Sequence, residues 1–417
     1  MSLVACCALG AGCGDADRFT ADKLVLAEQQ VVPTHAQQVS NVLHEVFGSP
    51  SEPRVPDQLA DLLDLSQLQQ AAGRVASNRP GHTLGLYRRH CAVCHGLSGD
   101  GRGPAALYES PYPRDYRAGV FKFKSTYRGV PPTDADLAAT LRFGLPGTAM
   151  PSFELLPPEE IGALVQYIKY LAIRGELERS LVRHVGEEFD FDPVTGEASD
   201  ETRLDWSEEE TRELVLDEVL PRIARRWRDA PDSIVPVDES LAGADPPSAA
   251  EVEAGRQLFH DARRANCVKC HGQNGAGGVN VVDFSDWDKR THEFIAQTDR
   301  LAASRETLTS RMAGTAPARR GLLEKQLAEL NAEIGHREQF QDALLPPRVA
   351  DPRRLAPGAL RGVRSRADLF RIISQGVAGT PMPAVGATDP GGVGALTDEE
   401  IWRLVAYVQS LTGGIHD

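Results

Sequence analysis

The spacing of apolar residues predicts helices along most of the chain. In PTHAQQVSNVLHEVFGSP, Val39, Val42, Leu43, Val46 and Phe47 recur at helical intervals, with Thr34 placed as N-cap and Gly48 as a stop. Further on, two stretches repeat one another. TDADLAATLRFGLPGTAMPSF (133–153) parallels SRADLFRIISQGVAGTPMPAV (365–385), with Thr133/Asp136 and Ser365/Asp368 each arranged as a helix-opening capping pair. Each copy is followed by an amphipathic segment, LPPEEIGALVQYIKYLA (156–172) or LTDEEIWRLVAYVQSL (396–411). Leu156 with Ile161, and Leu396 with Ile401, are set as hydrophobic staples, and Thr397 with Glu400 forms a capping box. Each copy is also preceded by a short helical pattern, GHTLGLYRRHCAVCHG (81–96) or EAGRQLFHDARRANCVKCHG (253–272), carrying Tyr87 or Phe259 ahead of its cysteines. The expected fold class is all-α, built on a duplicated block.

The patterns divide the 417 residues into an export-signal remnant (1–13), an N-terminal extension with one amphipathic helix (14–79), a first domain (80–175), an acidic linker (176–249) and a second domain (250–417). The second domain is lengthened by an insertion at about 275–346, part of which, RRGLLEKQLAELNAEIGHREQF, reads as an exposed helix or helical hairpin. No run approaches the roughly 20 apolar residues of a membrane-spanning helix, so the body of the chain is expected to be soluble. The net charge of −14 argues against a nucleic-acid partner. Residues 176–247 hold 21 acidic and 8 basic residues, so the linker carries nearly all of the excess. Its own helix is expected to open at Ser207 and Glu210 and to kink at Pro221. The opening, MSLVACCALGAGCGDAD, resembles the end of a bacterial lipoprotein signal. Cys13 closes the apolar run, while LVAC at 3–6 makes Cys6 the other lipid-anchor candidate; a plain cleaved signal is the alternative. Either way the chain is expected to be exported to the periplasm, and on the preferred reading to be lipid-anchored there. His35 and His44 read as solvated.

The chemistry is concentrated in two C-x-x-C-H motifs, Cys91, Cys94, His95 and Cys267, Cys270, His271. This is the attachment motif of c-type haem: two thiols add to the vinyl groups of one porphyrin and the histidine binds its iron. The rival is a zinc site, but C-x-x-C pairs that share zinc usually lie within about 20 residues of each other. An iron that moves electrons without binding small molecules needs a sixth ligand. The chain has only four methionines, and two of them, Met150 and Met382, end the same frame, G-x-x-G-T-x-M-P. A thioether opposite histidine favours reduced iron. The other reading is core filling, the usual role of methionine. Met312 lies in the polar insertion, and His82, His90 and His260 read as helix-surface residues. Arg114 and Arg348, in segments that begin alike, are candidates for haem propionates, with solvated loop charge as the alternative.

Each block resembles a class I cytochrome c, over roughly 80–175 and 250–414. Dihaem forms such as cytochrome c4, and the periplasmic part of cbb3-type oxidase subunits, have the same two-block plan. The resemblance implies two small α-helical domains, two covalently attached haem c groups with iron, and single-electron transfer with no catalytic residue. Redox proteins are the implied partners, donor and acceptor unknown, with a membrane respiratory complex among the candidates. A dihaem cytochrome c peroxidase with one open haem is the alternative. The extension, linker and insertion depart from these relatives, as does Thr83, where a glycine often precedes the aromatic by four residues.

Overall fold

The computed structural model describes residues 17–75, 85–190, 202–278, 283–341, 344–355 and 360–413. Cys6, Cys7, Cys13, His82 and Thr83 lie outside the described residues. The N-terminal extension forms α1 (Lys23–Glu28), α2 (Pro33–Phe47) and α3 (Leu65–Ala71). The first domain contributes α4 (Leu86–His90), α5 (Ala92–His95), α6 (Asp134–Phe143) and α7 (Pro158–Glu188). The linker forms α8 (Glu209–Glu213) and α9 (Leu220–Arg228). The second domain follows with α10 (Ala249–His260), α11 (Val268–His271), the hairpin α12 (Asp286–Ala313) and α13 (Gly321–Gln341), then α14 (Arg366–Gln375) and α15 (Asp398–Thr412). Among the described residues only isolated β-bridges accompany the helices.

Several expectations are corrected. The extension holds three helices instead of one. α2 carries the expected apolar face, all of it buried, but Val32 is its N-cap and Pro33 opens it, since a missing N–H costs nothing in the first helical turn. Gly48 does end it, at φ 72, where a Cβ would lie 2.2 Å from the Glu52 carbonyl oxygen. His35 is buried, with its ring edge-on to Phe189 at 5.2 Å, and burial pushes its pKa down. α7 runs 16 residues beyond its expected end at 172, because Ile173, Leu177, Leu181, Val182 and Val185 continue its buried face against the extension.

The linker packs against the first domain as well as connecting the two. Ser207 bonds back to Asp205 and does not cap α8, whose N-cap is Glu208. A π-helical turn over Leu214–Val219 leads into Pro221 in the first turn of α9, which absorbs the proline's missing donor. Val215, Val219, Leu220, Ile223 and Trp227 then bury themselves in the first core. Trp227 Nε1 donates to Glu176 at 2.8 Å, and Arg228 pairs with Asp61 at 2.6 Å. Extension, first domain and linker thus share one apolar core. The second core is smaller and centres on Phe259, Phe370, Trp402 and Tyr407, where α10 crosses α15. The crossing is close: a Cβ on Gly255 would lie 1.9 Å from the Arg403 carbonyl oxygen.

A buried ion network fastens the extension to the first domain. Arg117, 1% exposed, donates to Asp115 at 2.8 Å and lies 3.6 Å from Asp22, also 1% exposed. Arg179 donates to the other Asp22 oxygen at 2.9 Å, and the Asp22 amide donates to Glu178 at 2.6 Å. Burial opposes ionisation of Asp22 and Asp115, but the surrounding arginines together, Arg117 foremost and Arg179 with it, more than offset it, so both carboxyls are held below the usual carboxylate range. Replacing Asp22 by Ala leaves Arg117 buried beside one carboxylate instead of two and is expected to cost about 3–5 kcal/mol in denaturant titrations of the full chain. Because both folded pKa values are depressed, the network's contribution is fully present above about pH 4 and is lost as pH falls below it. Acid titration should therefore unfold the native chain more steeply than an Asp22→Asn variant.

Candidate cofactor sites

A helical turn places residues i, i+3 and i+4 on one face, and both C-x-x-C-H motifs use this spacing. On α5 the amides of Cys94 and His95 donate to the Cys91 carbonyl at 3.1 and 2.9 Å; on α11 those of Cys270 and His271 donate to the Cys267 carbonyl at 3.1 and 2.9 Å. The next residue, Gly96 or Gly272, ends the turn at φ 71 or 75. Tyr87 and Phe259 fill equivalent places beneath the turns. Tyr87 packs on Tyr167 at 4.8 Å and donates to the Gly96 carbonyl at 2.9 Å, while Phe259 packs on Tyr407 at 5.2 Å.

The histidines are held alike. His95 Nδ1 lies 3.0 Å from the Arg114 carbonyl oxygen and His271 Nδ1 lies 2.9 Å from that of Arg353. A carbonyl only accepts, so Nδ1 carries the hydrogen in each ring and Nε2 keeps the lone pair that a metal would use. Burial pushes His95 down to about 4 and His271 in the same direction, which keeps both rings neutral. His95 also stacks on Tyr116 at 4.7 Å, and Tyr116 on Phe121 at 5.9 Å. The repeated feature behind these carbonyls was misplaced in the sequence: the counterpart of Pro113–Arg114 is Pro352–Arg353, not Pro347–Arg348. Arg348 instead donates to the carbonyls of Leu107, at 2.8 Å, and Glu109, and its guanidinium lies 3.9 Å above Tyr112.

The two methionine loops are built on the same hydrogen bonds. Leu145 N donates to Met150 O at 3.1 Å, Thr148 Oγ1 donates to Leu145 O at 2.8 Å and accepts from Met150 N at 3.1 Å. In the second loop Val377 N donates to Met382 O at 3.2 Å, Thr380 Oγ1 donates to Val377 O at 2.7 Å and accepts from Met382 N at 3.3 Å. The threonine of each G-T pair therefore closes the turn that presents the methionine, a role the sequence reading missed although the residue repeats in both copies. Both methionines are half-buried. Met150 packs against the apolar cluster that contains Cys91; Met382 is not among the side chains packed on the second core, which Cys267 does join. Met312 lies far along the sequence from either loop, on α12, and His260 faces the carbonyls of Arg256 and Gln273.

The donor set fits haem better than zinc. All four motif thiols are free, and burial raises Cys91 to about 12 and Cys267 to about 11, which opposes the thiolates that zinc requires. Among the described residues no three His, Cys, Asp or Glu converge as a metal cage. Where the domains meet, half-buried cations gather. Burial, then Arg114 and Arg361, push Lys122 down to about 7, and burial followed by Arg353 lowers Arg361. Such a surface suits anionic substituents like the propionates of a porphyrin.

Residues 83–168 match the family of cytochrome c oxidase, cbb3-type, subunit III, and residues 252–332 match the cytochrome c family. The second match ends inside the helical hairpin, short of Met382. Comparison with curated proteins finds no match. A chain of the Kuenenia stuttgartiensis reducing HAO-like protein complex is similar at 19% identity and a TM-score of 0.45, over 79% of this chain and 94% of its own. The chain is helical and contains two cytochrome c domains, matched over 83–168 and 252–332. Covalent haem binding and haem-based electron transfer are what such domains provide. No helix among the described residues is long and apolar enough to cross a membrane.

The shared loop frame makes a specific prediction. Thr148→Val and Thr380→Val each remove a donor and an acceptor at nearly constant volume, and each should lower stability by about 1–2 kcal/mol in chemical denaturation.

Proposed function

We propose that the chain carries two covalently attached haems, one on Cys91 and Cys94 and one on Cys267 and Cys270, and passes single electrons between redox proteins of a periplasmic respiratory chain. His95 and Met150 hold one iron, and His271 and Met382 the other. The bound haem supplies a one-electron iron couple. The chain's own residues set its conditions. The carbonyls of Arg114 and Arg353 fix the tautomer and orientation of the two histidines. Thr148 and Thr380 hold each methionine at the end of a closed turn, where its thioether would raise the potential and keep small molecules off the iron. The observation that carries this reading is the same hydrogen-bond frame around both methionines, downstream of two equivalent histidine turns. Function as an electron carrier, with no catalytic residue, follows from two filled sites.

Cys13 or Cys6 as a lipid anchor would keep the protein at a membrane, beside a respiratory complex as donor or acceptor. The acidic linker has a share in that proposal: its exposed carboxylates favour a basic partner, with association that weakens as salt rises.

Matured full-length protein is expected to contain two haems per chain, to show sulfur-to-iron charge transfer at both when oxidised, and not to bind cyanide readily. Met150→Ala and Met382→Ala should each lower one reduction potential in a spectroscopic redox titration and leave the other in place. One haem per chain, or potentials unchanged in both variants, would refute the assignment; a single high-spin haem in the native protein would favour a peroxidase-like enzyme.

A further inference from the structure

We infer that each methionine loop is held by arginines of the opposite domain, so that the supply of sulfur at either site depends on the docking of the two domains; this rests on the ligand assignment above. In the second loop, Arg128 of the first domain donates through Nη1 to the carbonyls of Gln375 and Met382, both at 3.2 Å, while its amide donates to Gln375 Oε1 at 2.9 Å. Met382 O is also the acceptor that closes the turn from Val377. Arg128 therefore grips the carbonyl on which the methionine turn is built. The Arg114 guanidinium stands over the same loop, where a Cβ on Gly379 would lie 3.2 Å from Nη1.

The first loop is held the same way from the other side. Arg361 of the second domain donates to Gly147 O at 2.9 Å. The Arg353 guanidinium crosses Gly147 so closely that a Cβ there would lie 3.0 Å from Nη1. Gly147 and Gly379 occupy the same place in the two copies, both at φ 71, so each glycine serves the turn and the arginine that crosses it. Charged donors to carbonyls are among the stronger hydrogen bonds, and these bridge segments more than 200 residues apart in sequence.

The arrangement is also crossed. Arg114 gives its carbonyl to His95 and its guanidinium to the Met382 loop; Arg353 gives its carbonyl to His271 and its guanidinium to the Met150 loop. One residue thus touches the nitrogen side of one site and the sulfur side of the other. A displacement at either site is transmitted to its neighbour through a single side chain, and Arg114, Arg128, Arg353 and Arg361 act as positioning residues for ligands they do not replace.

The test uses full-length haem-loaded protein and two readouts: sulfur-to-iron charge-transfer absorption with redox titration, and backbone amide exchange of peptides covering 144–151 and 376–383. Arg128→Ala should remove about half of the absorption, lower one potential, and speed exchange about tenfold in 376–383 only. Arg361→Ala should give the same changes with exchange rising in 144–151 only. Arg128→Lys, which keeps a donor, should recover part of the loss and carries the test if the alanine variants do not fold. Unchanged loops in both variants, or faster exchange in the substituted domain's own loop, would overturn the clamp. A native protein without the charge-transfer absorption would instead overturn the ligand assignment, and the exchange pattern would still decide the clamp.

Discussion

The contact on which the rest of the structure depends is the hydrogen bond from each C-x-x-C-H histidine to an arginine carbonyl. It fixes which ring nitrogen keeps its lone pair, and it does so through main chain that must be held still. In the first domain that stillness has a visible source. The residues after Arg114 are Asp115, whose carboxylate pairs with Arg117, and Tyr116, which stacks on His95 itself. Arg117 in turn faces Asp22 in the N-terminal extension, and Asp22 is held by Arg179 and Glu178 of α7. The extension is therefore part of the support for the histidine, reached through two steps of paired charge.

The second domain meets the same need with less material. Its histidine is tied to Arg353, its core is smaller, and the long hairpin α12–α13 separates the histidine turn from the arginine segment in sequence. The hairpin still leaves the local geometry intact, because its first residue closes back on the methionine loop: Asp286 N donates to Gly379 O at 3.2 Å, and Ala350 N to Asp283 O at 2.7 Å. Insertion is tolerated there because both of its ends are pinned next to the site.

Much of this was legible in the sequence. C-x-x-C-H carries its geometry in its spacing, and a scarce methionine repeated in one frame pointed to a loop with a purpose. The capping pair at Thr133/Asp136 and the box at Thr397/Glu400 appear as read, because such caps depend only on residues three apart. The misreadings share a cause. His35 looked solvated and α7 looked short because what buries them, Phe189 and the extension helices, is distant in sequence. In sequence Arg348 matches Arg114 because each follows a proline, and only the fold shows that Arg353, which also follows one, has the carbonyl that meets His271. The cross-domain role of Arg128 had no local signature at all.

That last residue bears on why two domains share one chain. Two independent electron carriers would need only a tether, and a tether would leave each methionine loop held by its own threonine. Here the loops lean on the other domain as well, and the cations on which they lean are gathered where burial lowers Lys122 and Arg361. Gathering like charges at an interface is unfavourable unless anions join them, and Asp288 beside Lys122, with Asp115 and Asp286 near Arg114, supplies such anions from the protein itself. Carboxylates carried on a bound porphyrin would complete the balance from both sides.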